Sequence, residues 1–251
     1  MAYAKTLVKM EHDKLTTNPT CVGSALFAIV YDGGVVVAGD RQVNYGKMNR
    51  YTGYSRLFKV HDRCVLAFNG DHADFQFIQN VVETKMMEYK NEMNDWDAEM
   101  SPRAIHNWLT WLMYWRRSRI NPLYNQLLVA GVHDDGKPFL GSVNMRGVAY
   151  EERYIACGLG AMLVQQTLEN EFRDVAKTSV TGGGNGAHMK KEQAVELMKT
   201  CAKLEFYHDC LASTDFEACA VEASGVQRIE VPAAEVCGSW KEVAEYVVGY
   251  E

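Results

Sequence analysis

One stretch near the start of the chain, VGSALFAIVYDGGVVVAGD (residues 22–40), limits the fold more than any other. Residues 25–31 are an unbroken apolar run, Asp32-Gly33-Gly34 is a tight-turn signal, and the apolar character resumes before the chain meets Asp40. Short apolar runs bounded by turn residues read as buried strands, so the stretch is a core hairpin that ends in a carboxylate. A charge held away from water without a partner is costly, so Asp40 needs company. Ser24, with Gly23 before it, lies sixteen residues upstream of Asp40, and Arg56 lies sixteen residues downstream.

The remaining pattern is a series of paired elements. Residues 57–60 and 64–68 form a second hairpin around His61-Asp62-Arg63. Phe75, Ile78, Val82, Met86 and Tyr89 recur at helical spacing between Asp71, a good N-cap, and Asn94. A second helix starts at Ser101-Pro102, carries Ile105, Trp108, Leu109, Leu112 and Trp115 on one core stripe, and stops before Asn121-Pro122. Residues 127–132 and 138–143 flank a loop with Asp135-Gly136, and 148–156 reads as one further strand. Two helical patterns follow, 162–175 and 190–208, separated by a glycine-rich loop at 178–186. Residues 216–223 and 226–231 make a last hairpin around Ser224-Gly225.

Helices that arrive in sequential pairs do not fit βαβ alternation. Two antiparallel sheets packed face to face, with a helix layer outside each, would cover every apolar face. The expected fold is therefore α+β, a four-layer αββα sandwich. Its domain spans 21–232, with an N-terminal extension or short pro-segment at 1–20 and a C-terminal tail at 233–251.

Composition excludes several functions. At 251 residues, one large domain is expected. The apolar run at 25–31 is far short of a membrane span, and residues 1–15 contain no apolar block of the kind a secretory signal needs. Seven scattered cysteines with no CxxC pair indicate neither a zinc site nor a disulfide framework. No HxxxH pair is present, so no metal is expected. A net charge of −6, with no basic run longer than the Arg116-Arg117-Ser118-Arg119 cluster, argues against nucleic acid as partner. Gly158-Leu159-Gly160 and the glycines at 182–186 lack a following Lys-Ser/Thr, so neither reads as a nucleotide loop and no cofactor is expected.

The segment Gly23-Ser24-Ala25-Leu26 through Gly39-Asp40 resembles the opening of proteasome β subunits, members of the N-terminal-nucleophile hydrolases. The resemblance continues through Tyr45-Gly46, Asn69-Gly70-Asp71, Ala73-Asp74, Cys157-Gly158-Leu159-Gly160 and Tyr207-His208-Asp209, nearly the whole chain. Thr17-Asn18-Pro19, the run SPRAIHNWL at 101–109, Arg116-Arg117-Ser118 and Asn121-Pro122-Leu123 look like the seventh β type, a non-catalytic member of the eukaryotic 20S core.

In active members, as the resemblance implies, a threonine exposed by cleavage attacks the scissile carbonyl while its own α-amine moves the proton. Two aspartates, a lysine and two serines support it. Carried over residue by residue, Ser24 falls at the nucleophile, Asp40 and Asp209 at the aspartates, Arg56 at the lysine, and Leu159 and Ala212 at the two serines. A guanidinium is a bulky planar fork that cannot accept a proton, and it does not replace an ammonium there. Two hydroxyls are also gone. The site is expected to be inactive, with Ser24 internal and Asp40 and Asp209 kept as buried groups pairing with Arg56.

The resemblance implies a place in a 28-subunit barrel among other α-type and β-type subunits, in cytoplasm and nucleus. Trp240, Val243, Tyr246, Val247 and Tyr250 are candidate anchors of a tail that clamps the opposite ring. The competing reading is an active hydrolase that uses Ser24 after cleavage at Gly23.

Overall fold

The computed structural model describes residues 19, 21–181 and 189–237. In chain order the first strands are β1 (Cys21–Gly23), β2 (Leu26–Tyr31), β3 (Gly34–Asp40), β4 (Gln42–Tyr45), β5 (Met48–Thr52), β6 (Leu57–His61) and β7 (Cys64–Gly70). Helices α1 (His72–Met93) and α2 (Pro102–Ser118) follow, then β8 (Asn125–Val132), β9 (Pro138–Val143), β10 (Ala149–Glu151) and β11 (Tyr154–Cys157). The remainder is α3 (Gly160–Leu163), α4 (Gln165–Thr181), α5 (Lys191–His208), β12 (Phe216–Glu222), β13 (Gly225–Val231) and α6 (Ala233–Val236).

Two five-stranded sheets form, in the orders β10-β9-β8-β7-β6 and β11-β2-β3-β12-β13, and every pairing is antiparallel. Alternation along the central strands separates three apolar layers. Leu26, Ala28, Val35 and Val37 of the first hairpin meet Val65, Ala67, Leu128 and Ala130 between the sheets. Their neighbours Phe27, Ile29, Val36 and Ala38 face the other way, onto Leu197, Met198 and Cys201 of α5. On the far side Leu66 and Phe68 pack against Phe75 and Ile78 of α1 and Ile105 and Leu109 of α2. Helix, sheet, sheet, helix: the four-layer α+β sandwich is present.

The helix starts follow the sequence signals. The Asp71 carboxylate accepts the N–H groups of Ala73 and Asp74 at 3.0 and 3.1 Å, and the Ser101 hydroxyl accepts that of Ala104 at 3.3 Å. Replacing Ser101 with alanine leaves that N–H without its cap, and chemical denaturation should report a loss of about 1 kcal/mol.

Three expectations need correction. The single strand expected over 148–156 is two strands in different sheets: β10 pairs with β9, and β11 pairs with β2. The sequence does not mark the crossing because no glycine or proline separates the two halves, although β10 is largely exposed and β11 is buried. The helix expected at 162–175 is broken at Val164 into α3 and α4 and runs on to Thr181, into the stretch expected to be loop; residues 182–186 of that loop lie outside the described residues. A third sheet, β1-β4-β5, was not anticipated. Its strands are three to five residues long, too short for alternation to reveal them. At the C-terminal boundary, Val236 of α6 is buried in the core and Glu235 pairs with Lys199 at 2.6 Å, so residues 233–236 pack on the sandwich. The tail anchors Trp240, Val243, Tyr246, Val247 and Tyr250 lie outside the described residues.

Candidate functional site

Strand ends place the side chains that matter. Asp40 is the last residue of β3, Ser24 sits between β1 and β2, and Arg56 immediately precedes β6. Asp209 caps the C-terminus of α5, with Ala212 three residues on, and Leu159 lies just before α3. The fold brings these positions to one end of the sandwich. Gly23, Ser24, Asn44, Asn69, Leu159 and Asp209 line a cleft of about 620 Å3 there.

Arg56 lies beneath the cleft, 1% exposed, and its guanidinium is fully engaged. Nε donates to the Asp40 carbonyl at 2.8 Å, Nη1 to the Ser24 carbonyl at 2.7 Å, and Nη2 to the Ala25 carbonyl at 2.7 Å and to Asp40 Oδ1. Asp40 Oδ2 accepts the Ser213 N–H at 3.3 Å. Burial holds the Asp40 carboxyl above the usual carboxylate range, against the smaller opposing pull of the adjacent guanidinium. The pair is therefore a closed unit, with both charges buried and both directed at each other. An arginine meets this geometry where a lysine could not, because its planar fork reaches three backbone carbonyls and a carboxylate at once.

The expected partnership with both aspartates holds for Asp40 alone. Asp209 turns to its own loop: its Oδ1 accepts the Leu211 N–H at 2.9 Å, and its carbonyl accepts the Ala212 N–H at 3.1 Å. That loop is pinned to β4 by Gln42 and Asn44, whose side-chain amides both donate to the Leu211 carbonyl at 3.0 Å. Ser24 Oγ is buried beside Asp40, close enough to favour its charged form, yet meets no partner in hydrogen-bond geometry. Ala212 supplies no hydroxyl, and Ser213 next to it does not substitute, because its Oγ accepts the Asp215 N–H at 3.1 Å. Leu159, half exposed, puts apolar bulk on the cleft rim.

A model of the proteasome subunit family matches residues 22–221. The chain belongs to that family. It is 36% identical over 236 residues to the proteasome subunit beta type-4 of Xenopus laevis, covering 94% of this chain and 90% of that one. It is 35% identical to the beta type-4 subunit of Drosophila melanogaster, with 85% and 76% covered, and 32% identical to the beta type-7 subunit of Saccharomyces cerevisiae, with 80% and 73% covered. It is a β-type proteasome subunit of the N-terminal-nucleophile hydrolase superfamily.

This β-type subunit carries one further buried acid that the sequence pattern did not expose. Glu205, one helical turn before Asp209 on α5, is fully buried, and neither carboxyl oxygen has a hydrogen-bond partner in good geometry, although the backbone at Ala25 lies near. Burial, then the charge of Asp40, raises its pKa to about 8, against the pull of Arg56. Around neutral pH it is held largely as the neutral acid. Its place in the apolar stripe of α5, between Cys201 and Asp209, was the available signal, because a lone glutamate on a core face is rare without a partner. Among the described residues no three His, Cys, Asp or Glu side chains converge as a metal site, and no helix is long and apolar enough to cross a membrane.

Proposed function

We propose that this chain is a structural, non-catalytic β-type subunit of the 20S core. It forms one wall of a β ring inside a 28-subunit barrel of α-type and β-type subunits. There it contributes to ring assembly and to ubiquitin-dependent protein degradation carried out by other members, in cytoplasm and nucleus. The sandwich at 21–232, with residues 233–236 packed on it, forms the wall, residues 1–20 extend from it, and the rest of the tail to 251 clamps the opposite ring through its aromatic anchors.

One observation carries this reading: the cation at the heart of the site is a guanidinium already tied into the fold through every one of its nitrogens. All three nitrogens of Arg56 are committed to Asp40, Ser24 and Ala25. The nitrogen of an internal Ser24 is an amide, not a basic amine, so no base stands beside the hydroxyl. Proteins with this fold retain shape without chemistry when the site's members are lost, because the layers bury their core independently of it.

The test is the state of the chain in the purified endogenous particle after treatment with an electrophilic peptide probe. Intact mass should show it unlabelled, with the residues upstream of Ser24 still attached. A chain that begins at Ser24 and carries the probe there would establish the rival reading, an active hydrolase.

A further inference from the structure

The chain between α1 and α2 is exposed without a break over residues 91–97, the run NEMNDWD. Trp96 is 76% exposed there and Met93 55%. The run also holds the carboxylates of Glu92, Asp95 and Asp97, and no basic residue. Among the described residues, no lysine, arginine or histidine forms an ion pair with Asp95 or Asp97. Helix α1 starts at His72, near the cleft residue Asn69, and its 22 residues carry the chain roughly 33 Å from there. The run is remote from the degenerate site.

Its exposure does not come from looseness. Asn94 takes the left-handed conformation (φ 51°) that ends the helix, and its N–H donates to the Asn91 carbonyl at 3.2 Å. The Asp95 N–H donates to the Lys90 carbonyl at 3.1 Å, and the Ala98 N–H to the Asp95 carbonyl at 3.3 Å. The Asp97 N–H donates to Asp95 Oδ1 at 3.0 Å. The turn that carries Trp96 is closed by its own hydrogen bonds, so a partner meets a tryptophan already in place and little backbone freedom is lost on binding.

Charge and size decide what fits. A tryptophan face attracts a Lys or Arg cation placed within about 6 Å of it, and carboxylates on both sides, at 95 and 97, add to that pull. Met93, three residues earlier, offers a flexible apolar surface. A permanent subunit interface takes about 20–30 residues a side and is depleted of Asp and Glu. This run has seven residues, and three of them are acidic. It has the size of a contact for one short segment.

We propose that residues 91–97 are a docking point for a short basic segment of a partner protein that is not a subunit of the core. Trp96 is the anchor, and Asp95 and Asp97 are the charges that select the segment. A lysine or arginine of that segment lies on the Trp96 ring, and an apolar side chain beside it meets Met93. Such docking needs nothing from Ser24 and stands whether or not the chain is cut there.

Fluorescence anisotropy on the assembled particle tests this, with fluorescein-labelled, acetylated RLKRLK as the probe and ELEELE as its acidic counterpart. The wild type is compared with Trp96→Ala and with the pair Asp95→Asn and Asp97→Asn. Asp95→Asn keeps an oxygen for the Asp97 N–H, so the turn is retained while its charge is lost. The basic peptide should bind the wild type and weaken about tenfold in either variant, and the acidic peptide should not bind. Raising salt from about 50 to about 200 mM should weaken the wild type more than the asparagine pair. A benzophenone-bearing form of the basic peptide should cross-link inside residues 91–97. Equal binding by the wild type and Trp96→Ala, cross-links confined to other segments, or equal binding of the acidic peptide would overturn the docking point. Hydroxyl-radical oxidation of the untreated particle should reach Trp96; a protected Trp96 would mean that another core subunit covers the run, and that too would overturn it. A chain found to start at Ser24 leaves all of these readings in place and overturns only the non-catalytic reading.

Discussion

Glu205→Gln should make the protein more stable, and by an amount that grows with pH. The carboxyl has a pKa of about 8 when folded against a model value of 4.5, so the folded state holds a proton that the unfolded state releases. The stability this group allows is complete below about pH 4.5 and falls as pH rises toward 8, by about 1.4 kcal/mol per unit at most. Above 8 the loss is constant. Glutamine does not titrate, so the gap between variant and wild type should open between pH 4.5 and 8 and reach an upper limit of about 5 kcal/mol. For a domain of this size that is a rise in Tm of roughly 10 °C at pH 8.5. Thermal unfolding from pH 4.5 to 9 measures it, and parallel curves for the two proteins would show that Glu205 is ionised or paired in the folded state. Glu205→Leu goes further, because it also removes two unsatisfied oxygens from the α5–β3 contact. The groups that face Glu205 are Asp40, Arg56 and Asp209, so the arginine's single charge is already answered by Asp40 before Glu205 is counted.

Asp40→Ala should do the opposite. It leaves the Arg56 guanidinium buried, with its backbone carbonyl contacts at residues 24, 25 and 40 but no counter-charge, a change that typically costs about 3–5 kcal/mol. Removing both partners together, as in Asp40→Ala with Arg56→Met, should recover a large part of the loss, because no charge is then stranded and methionine fills much of the space. Denaturant unfolding of the two single variants and the double variant gives the coupling directly. Additive losses would mean that the two side chains act independently, which their contact contradicts. The effect is on stability and on the placement of β1, since Arg56 joins Asp40 to the backbone that leaves that strand.

The two predictions divide the site into a part legible in sequence and a part that was not. The first hairpin, its glycine turn and the carboxylate at its end were readable because β2 and β3 are buried on both faces and appear as near-continuous apolar runs. The starts of α1 and α2 were readable because capping is a local interaction between residues two or three positions apart. The resemblance to proteasome β subunits told that Ser24, Asp40 and Arg56 meet. It did not tell that Arg56 answers only Asp40, because Asp209 finds Leu211 in its own loop. Glu205 was passed over because a helical pattern records which face is buried, not what else is buried there. The β1-β4-β5 sheet escaped for a related reason: its strands are too short to carry a pattern and are held by backbone pairing and by the amides of Gln42 and Asn44.

The first hairpin, the starts of α1 and α2, the four layers and the absence of a small cation at position 56 followed from residue identity, since patterning, turns and caps act over short distances. The tertiary structure alone decided which carboxylate takes the guanidinium, which acid is left to hold a proton, and where residues 21–23 lie. Those outcomes depend on groups tens to hundreds of residues apart that compete for the same few buried donors.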